Sequence, residues 1–157
     1  MVGYNKPKNK ILVAGVPLIQ ELKIKTIDNC YPGRLVTRDT TDAEIKVAGT
    51  AEATAGGALG FLGYEQAAEY WKPETVDTIY KVDKDSKLPF VPVLSGDIVV
   101  VASLASGQNV TKGAILTCAA DGELTAATIA TDMLIAIAEE SVDASGGAKD
   151  IMVRSLI

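Results

Sequence analysis

A mainly β protein is what this 157-residue sequence predicts: a small barrel or β-tulip-like sandwich of short strands, with at most one or two short helices. Three observations carry the prediction. Short apolar runs recur between turn-forming Gly, Pro, Asn and Asp residues. The chain has 14 glycines but only 5% aromatics, a composition that suits thin strands and tight turns. And one stretch of the chain is a copy of another.

The first copy runs Gly33-Arg34-Leu35-Val36-Thr37 and on through Asp42-Ala43-Glu44-Ile45 to Ala48. The second runs Gly113-Ala114-Ile115-Leu116-Thr117 and on through Asp121-Gly122-Glu123-Leu124 to Ala127. With a one-residue gap, Gly33 matches Gly113, Thr37 matches Thr117, Asp42 matches Asp121, Glu44 matches Glu123 and Ala48 matches Ala127. Each copy leads into an apolar run, Leu59 to Gly63 in the first and Leu134 to Ala138 in the second. Repetition of this kind marks a structural module used twice.

Taken in order, residues 1–18 are expected to form a flexible arm. Lys6, Lys8 and Lys10 flank Pro7, and the apolar run Ile11 to Ile19 is interrupted by Gly15 and Pro17. That run is strand-prone and free to pair with another chain, so Ile11, Leu12, Val13, Val16 and Leu18 are candidate contact residues. Leu22 to Ile27 alternates apolar and polar residues and reads as a half-buried strand. Leu35 to Arg38 and Glu44 to Ala48 read as strands joined by the turn Asp39 to Asp42. The small residues from Gly49 to Gly57 read as a loop. Tyr64 to Trp71 has helix-forming Glu65, Gln66, Ala67, Ala68 and Glu69, with Pro73 beyond its end.

Val76 to Val82 is a strand candidate, and Pro89 and Pro92 assign Leu88 to Leu94 to a sheet edge. Ile98 to Ala102 is a β-branched run that predicts a buried strand. Ala114 to Cys118 and Glu123 to Ala126 flank Asp121-Gly122, a pair suited to the positive φ angles of a tight hairpin. Met133 to Ala138 and Ile151 to Leu156 complete the set. The expected organisation is one β-rich domain over residues 19–157. Its repeat-like halves cover about 22–65 and 96–157, joined by a short helix and extended linker over 66–95.

Chemistry finds little footing. The chain has no histidine, which removes the commonest general base and metal ligand together. Cys118 has no histidine to generate its thiolate. Cys30 and Cys118 read as free, partly buried thiols, with a pairing between them left open. Gly56-Gly57-Ala58-Leu59-Gly60 lacks the Lys-Ser/Thr ending of a phosphate loop. Glu139, Glu140 and Asp143 read as a solvated acidic turn. Arg34 and Arg38 could meet a partner's carboxylate but suit an ordinary exposed strand. Tyr70 and Trp71, adjacent rings in an aromatic-poor chain, are either a core plug or an interface anchor. A net charge of −5 argues against coating nucleic acid. The apolar N-terminal run is too short to span a membrane. No enzyme activity, metal or cofactor is expected.

The second half carries a resemblance. Gly96 to Val101, Gly107 to Leu116, Ala120 to Leu124, Ile135 to Glu139 and Ile151 to Ser155 follow one another in an order that resembles the head-decoration, or capsid-cementing, proteins of tailed phages and related prokaryotic viruses. The likeness covers residues 88–157 and, more loosely, 32–65. It implies a non-enzymatic virion protein, made in the host cytoplasm, that sits as a homotrimer on the outer surface of an icosahedral capsid. There it would clamp major capsid protein subunits together, its N-terminal arm adding a strand to the shell. A tail or fibre subunit, or a small β-barrel that binds a ligand, is the alternative.

Overall fold

The computed structural model describes residues 11–24, 31–40, 44–63 and 90–157. Cys30, the helix expected over 64–71 with Tyr70 and Trp71, and the strand expected over 76–82 lie outside the described residues, as do residues 1–10.

The fold is mainly β, as the composition predicts. Five strands close a first barrel: β2 (Leu18–Ile24), β3 (Leu35–Arg38), β4 (Glu44–Val47), β5 (Ala58–Leu62) and β6 (Phe90–Ser95). Around it the order is β2-β4-β3-β5-β6, with β2 and β4 parallel and every other pair antiparallel. The remaining strands are β7 (Val99–Leu104), β9 (Ile115–Cys118), β10 (Leu124–Ala126), β11 (Ala136–Ala138) and β13 (Lys149–Ser155). They form a ring β7-β10-β9-β11-β13 that returns to β7. Here too one pair, β7 with β10, is parallel and the rest are antiparallel. β8 (Asn109–Val110) and β12 (Val142–Asp143) pair beside this second barrel.

The duplication in the sequence is therefore a duplication of the barrel, and it extends to register. Val36 faces Val47, Thr37 faces Lys46 and Arg38 faces Ile45. In the second barrel Leu116 faces Ala126, Thr117 faces Thr125 and Cys118 faces Leu124. Leu35↔Phe61 and Phe61↔Leu94 in the first barrel become Ile115↔Ile137 and Ile137↔Arg154 in the second. Ile19↔Leu94 and Glu21↔Pro92 become Val99↔Arg154 and Val101↔Met152. Register fixes which side chains point inward, so the first barrel's Val36, Ile45, Leu62 and Val93 stand at the positions of Leu116, Leu124, Ala138 and Val153 in the second. Val36, Ile45, Leu62 and Val93 form the first interior. Val100, Leu104, Leu116, Leu124, Ala136, Ala138, Ile151 and Val153 belong to the second.

The barrels are joined by apolar packing. Leu35, Phe61 and Leu94 point outward from the first barrel, and all three belong to the same buried cluster as the second barrel's interior. The hairpin after β9 seals this joint. Asp121 and Gly122 both take positive φ, 57° and 70°, as their sequence predicts. The Gly122 N–H donates to the Ala48 carbonyl at 2.7 Å.

Four expectations change. The stretch from Gly49 to Gly57 is not all loop: Ala51–Ala55 forms a short helix, α1, and the Glu52 carboxylate accepts the Gly49 N–H at 2.7 Å. Residues 90–95 are the closing strand of the first barrel and no part of a linker. β6 is not an edge strand either, since it pairs with β2 on one side and β5 on the other. Pro92 is tolerated because its carbonyl still accepts the Gly63 N–H at 2.9 Å just beyond the end of β5. Only one ladder donor is lost.

The fourth change concerns the arm. Residues 1–18 are not free throughout: β1 (Leu12–Ala14) lies antiparallel along β7, with Leu12 facing Val100 and Ala14 facing Val99. Ile11 is buried in the core and its carbonyl accepts the Val101 N–H at 2.8 Å. β2 already begins at Leu18. The physical reason is the geometry of β7. Only Leu104 bridges to β10, so the start of that edge offers unpaired backbone groups to the nearest extended segment.

Candidate adhesion surface

Equivalent positions in the two barrels have different fates. In the second barrel Ile98 and Val99 are 1% and 3% exposed. β1 covers them, and Gly15 completes the cover. Gly15 has φ +92°, and a Cβ there would meet the Asp97 carbonyl oxygen at 2.6 Å and the Ile98 side chain at 3.1 Å. In the first barrel the matching residues, Leu18 and Ile19, are 63% and 57% exposed, and Val16 before them is 91% exposed. Among the described residues no strand lies along this stretch of β2 on the side away from β6. Large exposed apolar side chains grouped on a strand edge form a surface that favours association.

The backbone there points outward. The Pro92 carbonyl faces β5, where it accepts the Gly63 N–H. Pro92 stands opposite Glu21, so that pair exchanges no bond, and Glu21 turns its own N–H and C=O away from β6. Its counterpart Val101 does the same and gives its N–H to Ile11. Among the described residues, β2 thus presents an uncovered version of the edge that β1 fills on β7.

A second apolar group lies in the loop between β10 and β11. Ile129, Met133 and Leu134 are 69%, 45% and 37% exposed. The Met133 N–H donates to the Ala53 carbonyl at 2.6 Å, which ties this loop to α1.

The five residues expected to form the contact arm are therefore divided. Ile11, Leu12 and Val13 are spent on the chain's own second barrel, whereas Val16 and Leu18 are exposed. Ile19 belongs with them; its place in the same apolar run was the available signal. Ile129 stands alone in a small-residue loop, where no periodicity could single it out. Met133 and Leu134 looked like the start of a strand, but β11 begins only at Ala136.

Several of the charged groups singled out in the sequence are paired within the fold. Arg34 is no exposed strand arginine: it bonds the Asp121 carbonyl at 2.6 Å and pairs with Glu123 at 3.0 Å across the barrel joint. Arg38 is exposed at the end of β3. The acidic cluster is dispersed. Glu139 pairs with Arg154 at 3.2 Å, and Glu140 accepts the Met152 N–H at 2.8 Å. Asp143 accepts the Ser145 N–H at 2.9 Å, and hydrogen bonds to Ser145 hold its carboxyl below the usual range. Among the described residues no group of three or more His, Cys, Asp or Glu side chains is placed to hold a metal ion. None of the helices among them is long and apolar enough to cross a membrane. Gly56 and Gly57 take positive φ in a turn that leads directly into the strand β5. Cys118 carries a free thiol inside the second barrel. Burial, and secondarily the Glu52 carboxylate, push its pKa up to about 12.

A scan against protein-family models gives no match to this chain, and neither does a search of the curated proteins.

Proposed function

We propose that this chain is a structural virion protein that cements the outside of an icosahedral capsid as a trimer, holding major capsid protein subunits together by surface contact. One observation carries the reading. Both barrels expose large apolar side chains, Val16, Leu18 and Ile19 on the first and Ile129, Met133, Leu134 and Leu156 on the second. A cement needs two adhesive faces, one for its own copies and one for the shell, and apolar area supplies the attraction without specific chemistry.

The mechanism differs from the sequence expectation in one respect. Ile11 to Ala14 are committed to β7 of their own chain, so they are not the strand added to the shell. The loop of Ile129 to Leu134 is assigned to shell contact instead. The duplicated barrel supplies rigidity, because the two barrels share a buried joint.

The test uses heads purified without this protein. Wild-type protein should co-sediment with them. A variant carrying Ile129→Asp and Leu134→Asp should keep its fold and its mass in solution but lose co-sedimentation. Equal binding by the two proteins would overturn the assignment of this loop. No binding by the wild type would overturn the reading itself.

A further inference from the structure

From the match between the edge of β2, which no described strand covers, and the occupied edge of β7, we infer that β2 receives an extended strand from residues 1–10 of a neighbouring copy of this chain. The inference rests on the trimer in the proposed function and names the contact that builds it.

The receiving site is defined by its duplicate. Val99 to Val101 accept β1 through main-chain bonds, and Ile98 and Val99 become buried beneath it. Ile19 to Glu21 occupy the same register positions in the first barrel. Glu21 directs its N–H and C=O to the open side, as Val101 does. A strand laid there would restore the cover that Leu18 and Ile19 lack. Strand addition draws affinity from the backbone, so the donor needs little sequence likeness to β1.

Residues 1–10 suit the donor role. They lead directly into Ile11, already fixed on the second barrel, and ten extended residues reach about 30 Å. The receiving edge from Ile19 to Glu21 spans only about 10 Å. The donor carries Lys6, Lys8 and Lys10 and no acid, whereas Glu21 is exposed on the receiving strand. Each copy would have one donor and one acceptor at different places. Such a contact is head-to-tail, and it closes into a ring if the rotation between copies permits. A three-membered ring is the trimer.

The experiment compares wild type with two variants by light scattering after size exclusion. One variant lacks residues 2–10. The other is Glu21→Pro, which removes the outward N–H without breaking a β2–β6 bond. Amide hydrogen exchange at Glu21 is followed in the wild type and the deletion. The inference expects a wild-type mass three times the 16.4 kDa of one chain. Both variants should fall to a third of that mass while keeping their β circular dichroism. The Glu21 amide should be slow in the wild type and at least tenfold faster in the deletion. If either variant fails to fold, the other and the exchange rates still decide. A trimeric deletion variant overturns the inference and leaves head binding as a separate question. A monomeric wild type with a protected Glu21 amide, meaning that residues 1–10 fold back on their own β2, overturns it too.

Discussion

Thr37 and Thr117 stand at the same place in two copies of one strand, but among the described residues only one hydroxyl has a partner. The Thr37 hydroxyl donates to the Gly57 carbonyl at 2.9 Å. The Thr117 hydroxyl is buried and has no partner among the described residues. A buried hydroxyl without a partner costs free energy that a methyl group of the same shape does not. Thr117→Val should therefore stabilise the protein by about 1 kcal/mol, while Thr37→Val should destabilise it by about 1 kcal/mol. Urea unfolding of the two variants reads both signs. Equal effects would mean that the two hydroxyls do not differ in hydrogen bonding.

The barrel joint gives a larger effect. Gly122 has φ +70°, and a Cβ there would meet the Leu35 carbonyl oxygen at 2.6 Å and a Val47 methyl at 2.7 Å. Neither obstacle can be relieved without moving the hairpin away from the first barrel. Gly122→Ala should lower stability by about 2–4 kcal/mol, combining backbone strain with loss of the fit. Thermal unfolding followed by circular dichroism checks this. The hairpin shift should also weaken the Arg34–Glu123 pair, so Glu123→Gln should cost less in that background than in wild type.

Cys118 should be chemically silent. A pKa of about 12 leaves almost no thiolate at neutral pH. In a Cys30→Ser background, a thiol reagent at pH 7.5 should label the folded protein only as fast as it unfolds. Rapid labelling of the native state would show that the second barrel opens locally around β9.

Much of this architecture is legible in the sequence because it is local. The strands at Leu35–Arg38 and Glu44–Val47, their copies, and the Asp121-Gly122 turn all follow from short patterns. Side-chain alternation within a repeat carries register, which is why the matched residues of the two copies face equivalent partners. What stays hidden is the choice of partner across long sequence distances. Ile11 to Ala14 announce a strand, but nothing in them names β7 as the edge they fill. Arg34 gives no sign that Glu123 lies within reach. Two prolines make Leu88 to Leu94 look unfit for the middle of a sheet, yet Pro92 falls where only one donor is missed. The helix of Ala51–Ala55 is masked by small residues, and its first turn depends on Glu52 capping Gly49. The adhesive surface is half legible for the same reason. Val16, Leu18 and Ile19 belong to a visible apolar run, but among the described residues no strand covers Leu18 and Ile19 as β1 covers their duplicates Ile98 and Val99.

Image reconstruction of heads with and without this protein tests capsid cementing most directly. Cementing predicts added density at three-fold and quasi-three-fold positions on the outer surface. Each feature should hold three copies of the double barrel, with the Ile129–Leu134 loop against the shell. Identical reconstructions, or density confined to the tail or fibres, would contradict it.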